Sequence, residues 1–269
     1  MVRYLQPHEL DSTDDVYIHG HDFRPGQTGP AALFAHAYYR RLDILLKELG
    51  RWLPVDARVA DLGCAQGNIG LRIAETGCHV VLGDRWTTML SYARRKRERG
   101  RVDFVALELP LLPFADSCLD GIVSCEVIEH LDAPEMLISE SFRVLRPGGF
   151  LLLTTPNGSA LRSRLPTWSE VKYTDHRKLP ANRDDHRLMF TPDELADELE
   201  VRGFTILTKR TFNTPVITGF MKLRYLTRHL PAYVRSAMED VICRLLPARA
   251  VRAVSHELMI VGRKSGPEP

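Results

Sequence analysis

Asp61-Leu62-Gly63-Cys64-Ala65-Gln66-Gly67 sets a carboxylate directly before a turn bracketed by glycines. The apolar residues in front of it read as a strand and those behind it as a helix. That corner is where open α/β sheets bind ligands. The glycines let the main chain approach a ligand closely. Taken alone, the same turn also suits a strand-to-helix corner that binds nothing. A dinucleotide fingerprint needs G-x-G-x-x-G, and here Ala65 replaces the glycine that makes room for pyrophosphate. Asp61 would repel phosphates and attract a cation, and no G-x-x-x-x-G-K-[ST] loop is present. Two more acids stand at the ends of later apolar runs. Asp84 suits ribose hydroxyls or a helix N-cap equally well. Glu108 suits an adenine amino group or an ordinary surface. These carboxylates favour S-adenosylmethionine, which carries an ammonium and a sulfonium but no phosphate, over NAD, ATP or GTP.

Moving a proton would need a group that titrates near neutrality. His130 lies on the ligand side of the sheet, after the fourth apolar run. It either acts as a base or braces the next helix. His176 and His186 lie in a segment rich in Pro, Arg, His and Asp, and His186 either serves as a base or packs against the helix that follows. Asp175-His176 and Asp184-Asp185-His186 could coordinate a divalent metal, but such clusters are mostly solvated loops, so no metal site is expected.

The elements that must position these groups alternate along the chain. Leu42, Leu45, Leu46 and Leu49 recur at helical spacing over 30–49, and Gly50 suits a stop. Strands are expected over 58–62, 79–83, 102–105, 120–125 and 150–154, with helices to about 75, over 87–99 and over 133–145. Apolar runs with little alternation suit strands covered on both faces. Thr191-Pro192-Asp193-Glu194 combines an N-cap, a proline and first-turn acids, and predicts a helix to about Arg202. Strands follow at 204–208 and 257–261. The expected fold is α/β: a doubly wound, seven-stranded, mostly parallel sheet with a helical insert before the last strand.

Four segments carry a family resemblance. They are Val59 to Gly67; Leu112-Pro113-Phe114-Ala115-Asp116 with Leu119-Asp120-Gly121-Ile122-Val123; Glu126-Val127-Ile128-Glu129-His130-Leu131 running on to Val144-Leu145-Arg146-Pro147-Gly148-Gly149; and Thr154-Thr155-Pro156-Asn157 with, later, Phe190 to Leu195. In this order the chain resembles the class I S-adenosylmethionine-dependent methyltransferases, in particular the small-molecule group that includes the ubiquinone-biosynthesis O-methyltransferases. The resemblance covers roughly residues 30–210. It implies that Asp61, Gly63 and Gly67 hold the methionine part of the cofactor. Asp84 would hold the ribose, with Arg85 beside it, and Glu108 and Leu109 would border the adenine. Cys125 and Glu126 would line the methyl-donor site. Arg41 resembles an arginine that pairs with the cofactor carboxylate, although it could equally lie on a solvated helix face beside Arg40. Ala65 departs from the family's usual glycine.

The expected organisation is an irregular arm over 1–29, a methyltransferase domain over 30–262 that includes a 211–254 insert, and a tail over 263–269. The implied reaction is methyl transfer to a small molecule, most simply at a hydroxyl oxygen. An RNA or protein methyltransferase and a catalytically silent cofactor-binding scaffold are the alternatives. The chain has 36 basic and 34 acidic residues, which gives no global reason to expect nucleic acid. The run from Arg94 to Arg101 reads as an exposed helix end, because no aromatic residues interleave after Tyr92. In the insert, basic residues including Arg235, Arg244 and Arg252 alternate with apolar ones, which suits a lid or a homodimer contact and weakly suggests an anionic acceptor. The 5 cysteines lack a C-x-x-C pair, and residues 1–15 lack the apolar core of a signal peptide, so a reducing, cytoplasmic setting is expected.

Overall fold

The computed structural model describes residues 31–161, 163–182, 185–218, 227 and 230–266. The expected arm, Asp184, residues 219–226 and 228–229 of the insert, and the end of the expected tail lie outside the described residues.

Helical spacing of leucines gives α1 (Ala31–Trp52), whose Leu42, Leu45 and Leu49 are buried. The helix does not stop at Gly50. Glu48 accepts hydrogen bonds from Arg51 (2.9 Å) and from Trp52 Nε1 (3.1 Å), and this last-turn network offsets the roughly 1 kcal/mol that an interior glycine costs. Then follow β1 (Arg58–Leu62), α2 (Asn68–Glu75), β2 (His79–Asp84), α3 (Thr87–Lys96), β3 (Arg101–Ala106) and β4 (Leu119–Cys125). α3 ends sooner than expected because Arg97 is extended, with ψ 120°. Lys96 at its end is buried and donates to Asn68 Oδ1, so the basic run is not one exposed surface.

α4 (Pro134–Val144) leads into β5 (Leu145–Pro156). β5 begins well before Phe150: Leu145 pairs with Leu119, the chain bulges through Pro147-Gly148-Gly149, and Phe150 resumes opposite Gly121. α5 (Trp168–Val171) and α6 (Pro192–Glu200) follow; Thr191 is the N-cap expected, and with Glu194 it forms a reciprocal capping box. β6 (Phe204–Phe212) and β7 (Glu257–Lys264) are longer than expected. Their polar residues Lys209, Arg210 and Thr211 find ladder partners on β7, so main-chain pairing carries the strand past its apolar part. Helices described in the insert include α7 (Pro215–Thr218), α8 (Ala232–Leu245) and α9 (Ala248–Val254).

The sheet order is β3-β2-β1-β4-β5-β7-β6, with β1 to β5 parallel and β7 antiparallel to both its neighbours. The strand order reverses between β1 and β4, so the crevice for a ligand opens at their carboxyl ends. Successive side chains alternate between two core layers. Ala60, Leu62, Leu151 and Leu153 pack with α4 and α6 residues such as Leu137 and Leu195. Val59, Val80 and Leu152 pack with α1, α2 and α3 residues such as Leu45, Leu71 and Leu90. A sheet covered on both faces holds the loops at its edge rigidly.

Candidate active site

The turn after β1 is stitched to the end of β2. Gly63 and Cys64 donate their amides to Gly83 O (2.8 and 3.1 Å), and Ala65 donates to Asp84 Oδ2 (2.8 Å). Gly63, Ala65 and Gly67 all have positive φ (69°, 45° and 72°). Only glycine adopts that region without strain, so the alanine carries some. A side chain at Gly63 would also meet Val127 at 2.4 Å. The left-handed Gly67 then opens α2.

Two carboxylates define this side of the crevice. Asp61 is buried and accepts the Gly70 amide at 2.8 Å. Burial raises its carboxyl to about 7 against that hydrogen bond, and the charge of Asp84 pushes it further up. Asp84 takes Ala65 N–H on one oxygen and Trp86 N–H (2.9 Å) on the other, so it fixes the turn as well as facing the crevice. Glu108 is exposed and lies 3.9 Å from Arg85, which stacks over Trp86 at 5.5 Å. Leu109 is half-buried against the core.

The other side is built at the ends of β4, β5 and β7. Glu126 has φ 55°, a strained backbone of the kind that collects at functional sites. Its Oε1 accepts from Thr154 Oγ1 (2.9 Å) and lies 3.2 Å from Arg41 Nη1. The same Nη1 lies 3.4 Å from Glu257 Oε2, and Asn213 donates to Glu257 Oε1 at 2.8 Å. Arg41 therefore does not lie on a solvated helix face. Burial works against its charge, but Glu257 and Glu126 outweigh burial and hold it firmly protonated. Burial raises Glu257 to about 7, with Arg41 pulling it back and Glu126 pushing it up. The Cys125 thiol is pushed up by burial and by Asp61, which keeps it neutral.

Deeper in lies Glu129, with 0% exposure. Thr155 Oγ1 donates to its Oε2 at 3.0 Å, and its Oε1 has no hydrogen-bond partner. Burial, followed by repulsion from Glu126, raises its carboxyl well above the ordinary range. Glu129 Oε1 faces His130 Nε2 at 4.0 Å and His186 Nε2 at 3.9 Å. The two imidazoles meet edge to face with centroids 4.7 Å apart. A carbonyl accepts only, so His130 Nδ1 donates to Asp185 O (3.1 Å), and in the neutral ring Nε2 keeps its lone pair toward Glu129. One donor atom from each of the three residues falls within 4.8 Å of the others, a set that could hold a divalent cation. His176, by contrast, spends both nitrogens on the carbonyls of Asp132 (2.9 Å) and Val171 (3.0 Å), and Asp175 is taken up by Arg177.

Sequence reasoning singled out His130 and His186 separately and passed over Glu129, Glu257 and Asn213. The consecutive Thr154-Thr155 was the available signal, because these two buried hydroxyls hold Glu126 and Glu129 respectively.

Comparison with known proteins agrees with this architecture. Residues 60–153 match the methyltransferase domain family. A probable S-adenosylmethionine-dependent methyltransferase of Mycolicibacterium smegmatis is 29% identical over 180 residues, which is 67% of this chain and 64% of that protein. A ubiquinone biosynthesis O-methyltransferase of Dinoroseobacter shibae is 29% identical over 57% of this chain and 62% of its own length. The chain thus spans less than two thirds of either relative. The solved [4+2]-cyclase SpnF shares the fold, with a TM-score of 0.57 and 20% identity over 86% of this chain and 81% of that one.

Proposed function

We propose that this chain, which belongs to the class I S-adenosylmethionine-dependent methyltransferases, transfers the cofactor's methyl group to a hydroxyl oxygen of a small molecule. The observation that carries this reading is the buried carboxylate of Asp61 beside Asp84, with no cation against either among the described residues. Two acids that repel each other fit a positively charged ligand and would reject a diphosphate. S-adenosylmethionine meets that demand and supplies, when bound, a methyl group on an already activated sulfonium.

The chain's own task is to bind, align and handle a proton. Asp61, Gly63 and Gly67 would hold the methionine part, with Arg41 toward its carboxylate. Asp84, flanked by Arg85, would hold the ribose, and Glu108 and Leu109 would border the adenine. Cys125 and Glu126 would line the wall beside the methyl group. His130 Nε2, left with its lone pair by the Nδ1 bond to Asp185 O, takes the acceptor's proton, with Glu129 and His186 beside it.

The test is incubation of the full chain with isotopically methyl-labelled S-adenosylmethionine and a panel of hydroxylated metabolites. Label should appear on an oxygen. His130→Asn should lower kcat by about 100-fold with little change in cofactor affinity. Absence of transfer to any acceptor would favour the scaffold reading. A second reading has its own support in the lone Glu129 Oε1 between two imidazoles: these residues hold a divalent cation that acidifies the acceptor. Loss of turnover in chelator, restored by added Mg2+ or Mn2+, would select it over the metal-free base.

A further inference from the structure

A buried guanidinium on the insert takes no part in the site described above and has no carboxylate partner among the described residues. Arg235 on α8 is 6% exposed, and its Nε and Nη1 have no hydrogen-bond partner. Its neighbour one turn on, Glu239, is not available to it. Glu239 accepts from Arg40 Nε at 3.2 Å and from the Thr214 amide at 2.6 Å. Burial alone lowers the pKa of Arg235, and no carboxylate raises it.

His36 on α1 stands near it, 8% exposed, with Nε2 also lacking a partner. Burial and the positive charges of Arg235 and Arg40 drive this imidazole down to about 4, so it is neutral. Thr214, tied through its amide to Glu239, has a buried hydroxyl with no partner either. The other buried or half-buried cations of this region are matched: Arg40 by Glu239 and Asp240, Arg41 by Glu126 and Glu257. An unpaired ion in the interior costs several kcal/mol, and buried donors are rarely left unbonded. A ligand that brings the missing negative charge accounts for both features.

The place suits an acceptor. Asn213 donates to Ala37 O on α1 (3.1 Å) and to Glu257, while the next residue, Thr214, bonds Glu239 on α8. His36 and Arg41 are five residues apart on α1, about 7.5 Å along its axis. Through Asn213-Thr214 the cluster around Glu257 is thus tied to α8, the helix that carries Arg235.

We propose that Arg235, with His36 beside it, is a binding site for an oxyanion, a carboxylate or a phosphate monoester, carried by the methyl acceptor. The planar guanidinium fork matches either group in a two-point contact. The inference rests on the methyltransferase reading for what the ligand is, but not for the existence of the site.

The probes are inorganic phosphate and acetate, titrated at constant ionic strength into the full chain, Arg235→Met and Arg235→Gln. Melting temperature and the Arg Nε–H NMR signals are the readouts. Phosphate or acetate should raise the melting temperature of the unaltered chain and shift one arginine signal, and both variants should lose at least tenfold in affinity. Whichever ion binds more tightly identifies the group. Arg235→Met should itself melt no lower than the unaltered chain, because it removes an unpaired buried charge. An equal anion response in all three proteins, or no response in any, would overturn the proposal, as would a clear loss of stability in both variants. S-adenosylhomocysteine affinity, measured on the same samples, should be unchanged. If it is absent from the unaltered chain while the anion still binds, the cofactor reading fails and the anion site stands.

Discussion

The two walls of the crevice treat charge in opposite ways. At the ends of β1 and β2, Asp61 and Asp84 face each other with backbone amides as their only partners among the described residues, and Asp61 is held near pH 7 by its burial. At the ends of β4 and β7, Glu126 and Glu257 close on Arg41. One wall has a charge deficit that a cationic ligand would fill. The other holds its acids against a built-in cation, Arg41. An unmatched buried acid thus calls for a cation from outside, whereas a matched one has its cation within the fold.

Removing the cation from the balanced wall should have the largest effect. Arg41→Met leaves two acids facing each other without their cation and should cost about 3 kcal/mol of stability at pH 8. The loss should shrink toward pH 5.5, because Glu257 titrates near 7 and can then become neutral. Chemical denaturation at the two pH values measures this. The opposite wall should respond in the opposite sense. Asp61→Asn should weaken S-adenosylmethionine binding by at least 100-fold, about 2.7 kcal/mol, yet leave the chain as stable as before or more so. A variant that loses stability and affinity together would erase the contrast between the walls.

Proton linkage sharpens the same comparison. Asp61 is raised in the folded chain from the ordinary aspartate value of 3.8 to about 7. Its contribution to stability is therefore fully present below 3.8 and is lost as pH rises through 7. A bound cation keeps Asp61 ionised, so affinity for S-adenosylmethionine should rise by up to tenfold per pH unit below 7 and level off above it. Calorimetry at pH 5.5, 6.5 and 7.5 reads this slope, and the slope should flatten in Asp61→Asn. The smallest effect concerns the turn itself. Ala65→Gly relieves a left-handed alanine and should add about 0.5 kcal/mol after the entropy of the new glycine is counted. A loss of stability would mean that the methyl group packs usefully in the turn.

How much was readable from the residues follows from range. The strand-end acids Asp61 and Asp84 were legible because each depends only on its own strand, turn and helix start. β1 was read with its observed bounds, Arg58–Leu62, and the N-cap at Thr191 was read for the same local reason. Element ends that depend on side-chain contacts were misjudged: α1 passes Gly50 because Glu48 secures its last turn, and β6 continues through polar residues because β7 pairs with them. Long-range meetings were invisible. Nothing local joins Glu129 to His186, Arg41 to Glu257, or His36 to Arg235, since each pair forms only when distant elements pack.

The measurement that bears most directly on the contrast between the walls is titration of the full chain with S-adenosylmethionine, NADH and ATP under identical conditions. An unmatched carboxylate wall predicts micromolar binding of the sulfonium compound and none of the two phosphate compounds. Tight binding of NADH or ATP, with S-adenosylmethionine ignored, would contradict it.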